Sequence, residues 1–219
     1  MTWYKEFGYN YNPFCIKPLD DYELFFDGKS LVDDIIGAIN NGENLVLKGP
    51  LGTGKTSILK KIIDEFGGER KLYYYNAFST STPLNFEKVL KRAGNIFSRT
   101  FGIKSKNVVL FIDEAHHLTP ENVAELEDYL GDYFKSVIIA SSENKYEAPD
   151  EIKEHFKNTI NLQNFTESDA LNIIKDRLGE EEYNEIIEDT EIKTIYKHSK
   201  TPRDFLHKCE SICKEKHEA

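Results

Sequence analysis

Three observations predict an α/β protein: a three-layer core with a five-stranded parallel sheet between helices, followed by a small all-helical subdomain. Short apolar runs alternate with amphipathic stretches between Asn44 and Leu162. The runs are apolar at consecutive positions, as in strands covered on both faces. The strand signal then stops at Phe165, beyond which only helical patterns follow. The boundary falls near Asn164, giving an α/β domain with an N-terminal extension over 1–164 and a helical subdomain over 165–219.

Each element has its own signal. The first 30 residues are aromatic-rich and irregular, with Tyr9-Asn10-Tyr11-Asn12-Pro13-Phe14 ahead of Pro18 and Asp27-Gly28. Over 30–39, Leu31, Ile35, Ile36 and Ile39 recur at helical spacing, and Asn41-Gly42 ends that helix. Strands are expected at 44–48, 71–75, 107–112, 136–140 and 159–162. Helices are expected at 56–66, stopped by Gly67-Gly68, and at 86–97 and 120–133. In the C-terminal part, Thr166-Glu167-Ser168-Asp169 reads as a cap with an acidic first turn, leading into Leu171, Ile174 and Leu178. Further helical segments lie near 182–188, 191–198 and 202–215.

Composition bounds the function. With 219 residues and 39% hydrophobic content, the chain can bury a sizeable core. Its formal charge of −10 disfavours a stand-alone nucleic-acid coat, although a local basic patch on an acidic body remains compatible with it. From Phe165 onward, 14 acidic residues face 9 basic ones, so the helical part is not a basic module. The longest apolar run is Val108–Ile112, against roughly 20 residues for a bilayer crossing, so no membrane partner is expected. The start, Met-Thr-Trp-Tyr-Lys-Glu, has no apolar signal core, which predicts a cytoplasmic protein. Cys15, Cys209 and Cys213 cannot all pair and form no CxxC motif, so reduced thiols are expected.

Gly49-Pro50-Leu51-Gly52-Thr53-Gly54-Lys55-Thr56 matches G-x-x-x-x-G-K-[ST], the P-loop pattern, and stands between an expected strand and an expected helix. Its glycines let successive N–H groups turn inward into an anion-binding nest at a helix N-terminus. Lys55 would reach the β- and γ-phosphates of ATP, Thr56 would offer its hydroxyl to Mg²⁺, and Ser57 follows in the same turn. The pattern G-x-G-x-x-G of dinucleotide folds is not present in this loop. The strand Val108-Val109-Leu110-Phe111-Ile112 then delivers Asp113-Glu114 to the C-terminal edge of the sheet. Asp113 is suited to holding Mg²⁺ through its water shell, and Glu114 to polarising an attacking water as general base.

The combination resembles the AAA+ ATPases over nearly the whole chain: the GPLGTGKT loop, the LFIDEAHHL segment, a polar tip after the fourth strand, and Thr201-Pro202-Arg203 on a C-terminal helical lid. Within that superfamily, the spacing from Asn12-Pro13-Phe14 to the P-loop resembles both the archaeal origin-recognition and initiator ATPases and the ExeA-like and transposition-associated ATPases, whose Gly-x-x-x-Asn-Pro-Phe opening Gly8 to Phe14 also resembles. The resemblance implies binding of ATP/ADP with Mg²⁺, adenine near Asn12 to Phe14, a first sensor at Ser141 or Ser142 (Ser142 being preferred), and a second sensor at Arg203. It also implies an arginine in the fifth-strand region that reaches a neighbouring subunit. Here 151–160 has Lys153, His155 and Lys157 but no Arg, and Arg99 is the alternative; hydrolysis is then expected to be slow, partner-activated or independent of a homo-oligomer.

By that resemblance the expected function is an ATP-driven switch in DNA metabolism, an initiator, loader or transposition-type regulator acting on DNA or a DNA-bound complex, as a homo- or hetero-oligomer. Core contacts to DNA are expected through Lys104-Ser105-Lys106 and Arg99. The alternatives are a protein-only remodelling or signalling ATPase, and a small nucleotide kinase, against which the adjacent Asp113-Glu114 and the helical subdomain argue. His116-His117 point in different directions and are expected as a solvated loop rather than a metal site. Tyr73-Tyr74-Tyr75 are expected in a strand buried against helices rather than as a base-stacking platform.

Overall fold

The computed structural model describes residues 3–15, 28–66, 68, 71–78, 84–93, 103–142, 146–163 and 165–217. It divides into two compact units: Asp27–Leu162, and a second that joins the N-terminal stretch through Phe26 to Gln163–Ala219.

The first unit is the expected α/β body. Its strands are β1 (Leu45–Lys48), β2 (Leu72–Asn76), β3 (Val108–Asp113), β4 (Phe134–Ser141) and β5 (Asn158–Asn161). They form one sheet in the order β2-β3-β4-β1-β5, with every neighbouring pair parallel. Parallel strands need crossovers, and the connecting helices supply them. β3 is buried at every position, which is why its sequence is apolar without alternation. Helices Gly28–Asn41 and Lys55–Glu65 pack on each other and on β4. On the other face, Phe86–Arg92 and Pro120–Tyr129 share a core with Val108, Leu110, Ile112, Val137 and Ile139. That core takes alternate residues of β3 and β4, as the pleat requires.

The largest departures from the expected bounds are at the ends of two helices. Helix Pro120–Tyr129 stops short of residue 133 because Leu130 turns extended (φ −65°, ψ 137°) and Gly131 takes φ 82°. Leu130 then bridges to Phe134, so β4 begins earlier and runs on into Ser141. The helix from Phe86 ends at Arg92, with Ala93 as its C-cap; its expected continuation beyond 93 lies outside the described residues.

The second unit contains helices Glu167–Leu178, Tyr183–Ile186, Asp189–Lys197 and Pro202–His217, with the short helix Trp3–Glu6. Thr166 and Asp169 form a reciprocal capping box, as the cap pattern implied, and Glu188 with Glu191 forms another. The expected domain boundary needs one correction: residues 3–15 belong with this unit and not with the α/β body. Trp3 and Phe14 are fully buried in the same core as Ile174, Phe205 and Cys209. Arg177 Nη1 donates to the carbonyls of Pro13 (2.6 Å) and Cys15 (3.1 Å), and the Tyr9 hydroxyl donates to the Leu178 carbonyl. Among the described residues, no helix is long and apolar enough to cross a membrane.

Candidate functional site

The loop from Gly49 to Thr56 leaves β1 and turns into helix Lys55–Glu65. Its first glycine is fixed by a close approach. Leu162 N donates to the Lys48 carbonyl at 2.7 Å, and a Cβ on Gly49 would stand 2.8 Å from the Leu162 carbonyl oxygen. Gly52 and Gly54 take φ 82° and 90°, a region closed to most side chains. The loop is also tied to itself. Thr53, 1% exposed, donates its hydroxyl to the Pro50 carbonyl at 2.8 Å. Lys55, 4% exposed, donates from Nζ to the carbonyls of Gly49 (2.9 Å) and Pro50 (2.8 Å). Burial pushes the Lys55 ammonium below its ordinary pKa, while the Glu114 and Asp113 carboxylates pull the other way. Leu51 is exposed at the loop's tip, and Ser57 is half-buried one residue beyond Thr56.

Asp113, at the end of β3, has no exposed surface. Its Oδ2 accepts from Thr56 Oγ1 at 2.7 Å, from the Tyr74 hydroxyl at 2.8 Å and from Asn76 Nδ2 at 3.4 Å. Its Oδ1 accepts from the Glu114 amide at 3.0 Å. A buried carboxylate is tolerable only when so satisfied. Burial and the neighbouring Asp113 both push the Tyr74 phenol well above its ordinary pKa, so it stays a donor.

Glu114 has φ 52° and ψ 44°, left-handed for a non-glycine residue, which turns its side chain out of the strand's alternation. Its Oε2 accepts from Ser142 Oγ at 2.6 Å. His116 Nδ1 lies 3.6 Å from the same oxygen and shares a hydrogen bond with Ser141 Oγ at 3.1 Å. The ends of β2, β3 and β4 and the phosphate loop therefore converge on one polar line at the C-terminal edge of the sheet, where open α/β sheets bind their ligands.

Thr56 and Asp113 offer hard oxygen donors and few of them, which fits Mg²⁺, an ion that keeps water and phosphate in its remaining positions. Among the described residues, no group of three or more His, Cys, Asp or Glu side chains could hold a metal by itself. His116 and His117 pack ring on ring, with centroids 4.2 Å apart.

The other residues singled out in the sequence fall as follows. Phe14 stacks on Trp3 (5.5 Å, 20°) with no exposed surface, and Asn12 Oδ1 accepts from the Phe14 amide at 3.0 Å. Arg203 is exposed at the second position of helix Pro202–His217. Arg99 lies outside the described residues. Sequence reasoning missed Tyr74 and Asn76. They are alternate positions on one face of the strand beside β3, and the register that pairs Asn76 with Asp113 is set by the sheet order, which the local pattern does not carry. Of the three tyrosines only Tyr75 is buried; Tyr73 and Tyr74 are half-buried on the edge strand.

Residues 45–164, more than half of the chain, match the family described as ATPase family associated with various cellular activities (AAA). The Holliday junction branch migration complex subunit RuvB of Chlorobaculum tepidum is 34% identical over 124 residues, which is 53% of this chain and 32% of that protein. The corresponding protein of Chlorobaculum parvum is 33% identical over 99 residues, 45% of this chain and 25% of that protein. The matched stretches thus span about a third or less of these relatives' length. Among solved structures, a point variant of RuvB from Thermotoga maritima superposes with a TM-score of 0.63 at 21% identity, covering 91% of this chain and 65% of that one. Cdc6p from Pyrobaculum aerophilum gives 0.61 at 16% identity, covering 91% and 63%. Likeness at such identities is likeness of fold. With the family matched across the phosphate loop, the acidic strand end and all five strands, the chain belongs to the AAA family of ATPases.

Proposed function

We propose that this chain binds ATP with Mg²⁺ at the phosphate loop and hydrolyses it to drive a conformational switch. The observation that carries this reading is the polar line itself: Thr56 on Asp113 at 2.7 Å and Ser142 on Glu114 at 2.6 Å, beside a loop closed around Lys55. Main-chain N–H groups of 49–56 would cradle the phosphates, and Lys55 would exchange the Gly49 and Pro50 carbonyls for β- and γ-phosphate oxygens. Thr56 and Asp113 would hold Mg²⁺, which when bound supplies the positive charge that neutralises the phosphates. Glu114 accepts the proton of the attacking water as its oxygen bonds to the γ-phosphorus and the bond to ADP breaks. Ser142 engages only Oε2 of Glu114, and the carboxylate has a second oxygen able to take that proton. By the family resemblance Arg203, exposed after Pro202, would be the second sensor of the nucleotide.

The finer reading places the switch in DNA metabolism: replication initiation, helicase or clamp loading, or transposition regulation. It is supported by the relatives named for branch migration and by a basic-aromatic patch, in which Lys104 Nζ lies 4.8 Å from the Tyr129 ring centroid and Lys106 Nζ 5.8 Å from that of Tyr133. The formal charge of −10 favours the second reading, a protein-only remodelling ATPase.

ATP turnover with and without DNA, across salt concentrations, separates the two. Under the first reading DNA stimulates turnover and salt weakens the effect; under the second DNA changes nothing. Within either, Glu114→Gln should lower turnover by about 100-fold or more while ATP still binds. A variant turning over at the wild-type rate would remove Glu114 from the mechanism.

A further inference from the structure

His116 and His117 have no part in the reading above. They form the short 3₁₀ turn Ala115–His117 directly after Glu114. Their rings pack 4.2 Å apart at 41°, and the ring of Phe78 covers His117 at 5.0 Å and 42°. Phe78 is 73% exposed, an unusual place for a large apolar ring, and its amide is tied to Asn76 Oδ1 at 3.0 Å. At the inner end of the stack, His116 Nδ1 meets Ser141 Oγ at 3.1 Å and stands 3.6 Å from Glu114 Oε2. Three rings thus run in contact from the surface to the carboxylate.

The inner end is the informative one. Ser141 is fully buried in β4, so the hydroxyl that meets His116 sits on a rigid element. Ser142 and His116 approach the same oxygen of Glu114. With Ser142 alone, the carboxylate stays drawn toward the tip of β4; a fixed imidazole beside Oε2 offers it a second position. We infer that His116 is a positioning residue: held between Ser141 and His117, its imidazole sets where the Glu114 carboxylate stands, and Phe78 with His117 braces it from outside. The inference rests on the reading of Glu114 as general base.

The test uses the full chain with His116→Ala, His116→Asn and Phe78→Ala, measuring kcat and KM for ATP, together with the NMR resonances of the His116 ring. His116→Ala should lower kcat by about tenfold, the scale seen when a group behind a reacting residue is removed, with KM within about twofold. Asn can restore a polar group near the Nδ1 position, so His116→Asn should recover most of the loss. Phe78→Ala should lower kcat by about twofold to threefold through a looser stack. The His116 ring resonances should move in Glu114→Gln and in Phe78→Ala. A purely structural histidine would shift kcat and KM together without rescue by Asn, and that result overturns the proposal. So does wild-type kcat in His116→Ala, or a His116 resonance indifferent to Glu114→Gln. If Glu114→Gln loses turnover and His116→Ala does not, the positioning role alone falls. If Glu114→Gln turns over normally, the base assignment falls and the positioning role with it.

Discussion

The α/β unit and the helical unit both bury large apolar cores, yet they treat polar groups in opposite ways. Every buried Ser, Thr, Asn, Asp or Lys side chain among the described residues lies in the α/β unit. Four of these, Thr53, Lys55, Asp113 and Ser141, stand in the phosphate loop or at the ends of β3 and β4. The helical unit's core holds aromatic and aliphatic groups with the thiols of Cys209 and Cys213, and burial pushes the Cys213 thiol up to about 12, leaving it an inert neutral group. Its ion pairs, such as Glu191 with Lys216 at 2.5 Å, are partly exposed. Burying a charge is unfavourable unless something is gained by it. On the proposed function, the difference separates a unit shaped by a ligand from a unit shaped by packing.

The largest effect should come from the packing side. Phe205 is fully buried in the helical core, so Phe205→Ala should cost about 3–5 kcal/mol of stability, read by denaturant unfolding. A loss below about 1 kcal/mol would break the contrast, because core truncation is what should hurt this unit most.

Lys55→Met is the matching test on the ligand side. It should weaken ATP binding by about 2–3 kcal/mol, the size of a hydrogen bond to a charged group. Its stability effect has a sign. Burial lowers the Lys55 pKa in the folded chain below 10.5, so the charged form is disfavoured by folding. That penalty is complete below the lowered value and disappears as pH rises from there toward 10.5. Melting curves should therefore show the wild type gaining on Lys55→Met as pH rises through that window. A gap that stays constant, or moves the other way, would contradict the burial argument.

Tyr74→Phe keeps the ring and removes one donor from Asp113 Oδ2. A loss of about 1 kcal/mol is expected in thermal unfolding, with about twofold weaker dependence of ATP binding on Mg²⁺. No change in either would reduce Tyr74 to an edge-strand residue. Lys216→Ala should do least: removing a partly exposed pair should cost at most about 1 kcal/mol, and less at high salt.

How much of this was legible in the sequence follows the same division. The strands of the sheet could be read because β1, β3 and β4 each carry an unbroken apolar run (Leu45–Leu47, Val108–Ile112 and Val137–Ala140), and the phosphate loop because its glycines are required by Leu162 and by positive φ. Asp113, Glu114 and Ser142 could be placed at strand ends from the order of elements alone. The hydrogen bonds of Tyr74 and Asn76 to Asp113 could not, because they depend on which strand lies beside β3 and in what register. The left-handed turn at Glu114 had no signal, since no glycine marks it. Trp3 and Phe14 were misplaced for a related reason: their apolar character predicts burial but not in which core. Long-range partners are decided by tertiary packing, which local patterns do not encode.

The central claim is that the polar line at the sheet edge is an ATP site built around a buried lysine. Equilibrium titration of ATP in the presence of Mg²⁺, against the wild type and Lys55→Met side by side, tests it most directly. Saturable binding at one site per chain in the wild type, weakened by about 100-fold in the variant, is the predicted result. Equal affinity in the two chains, or none in the wild type, would contradict it.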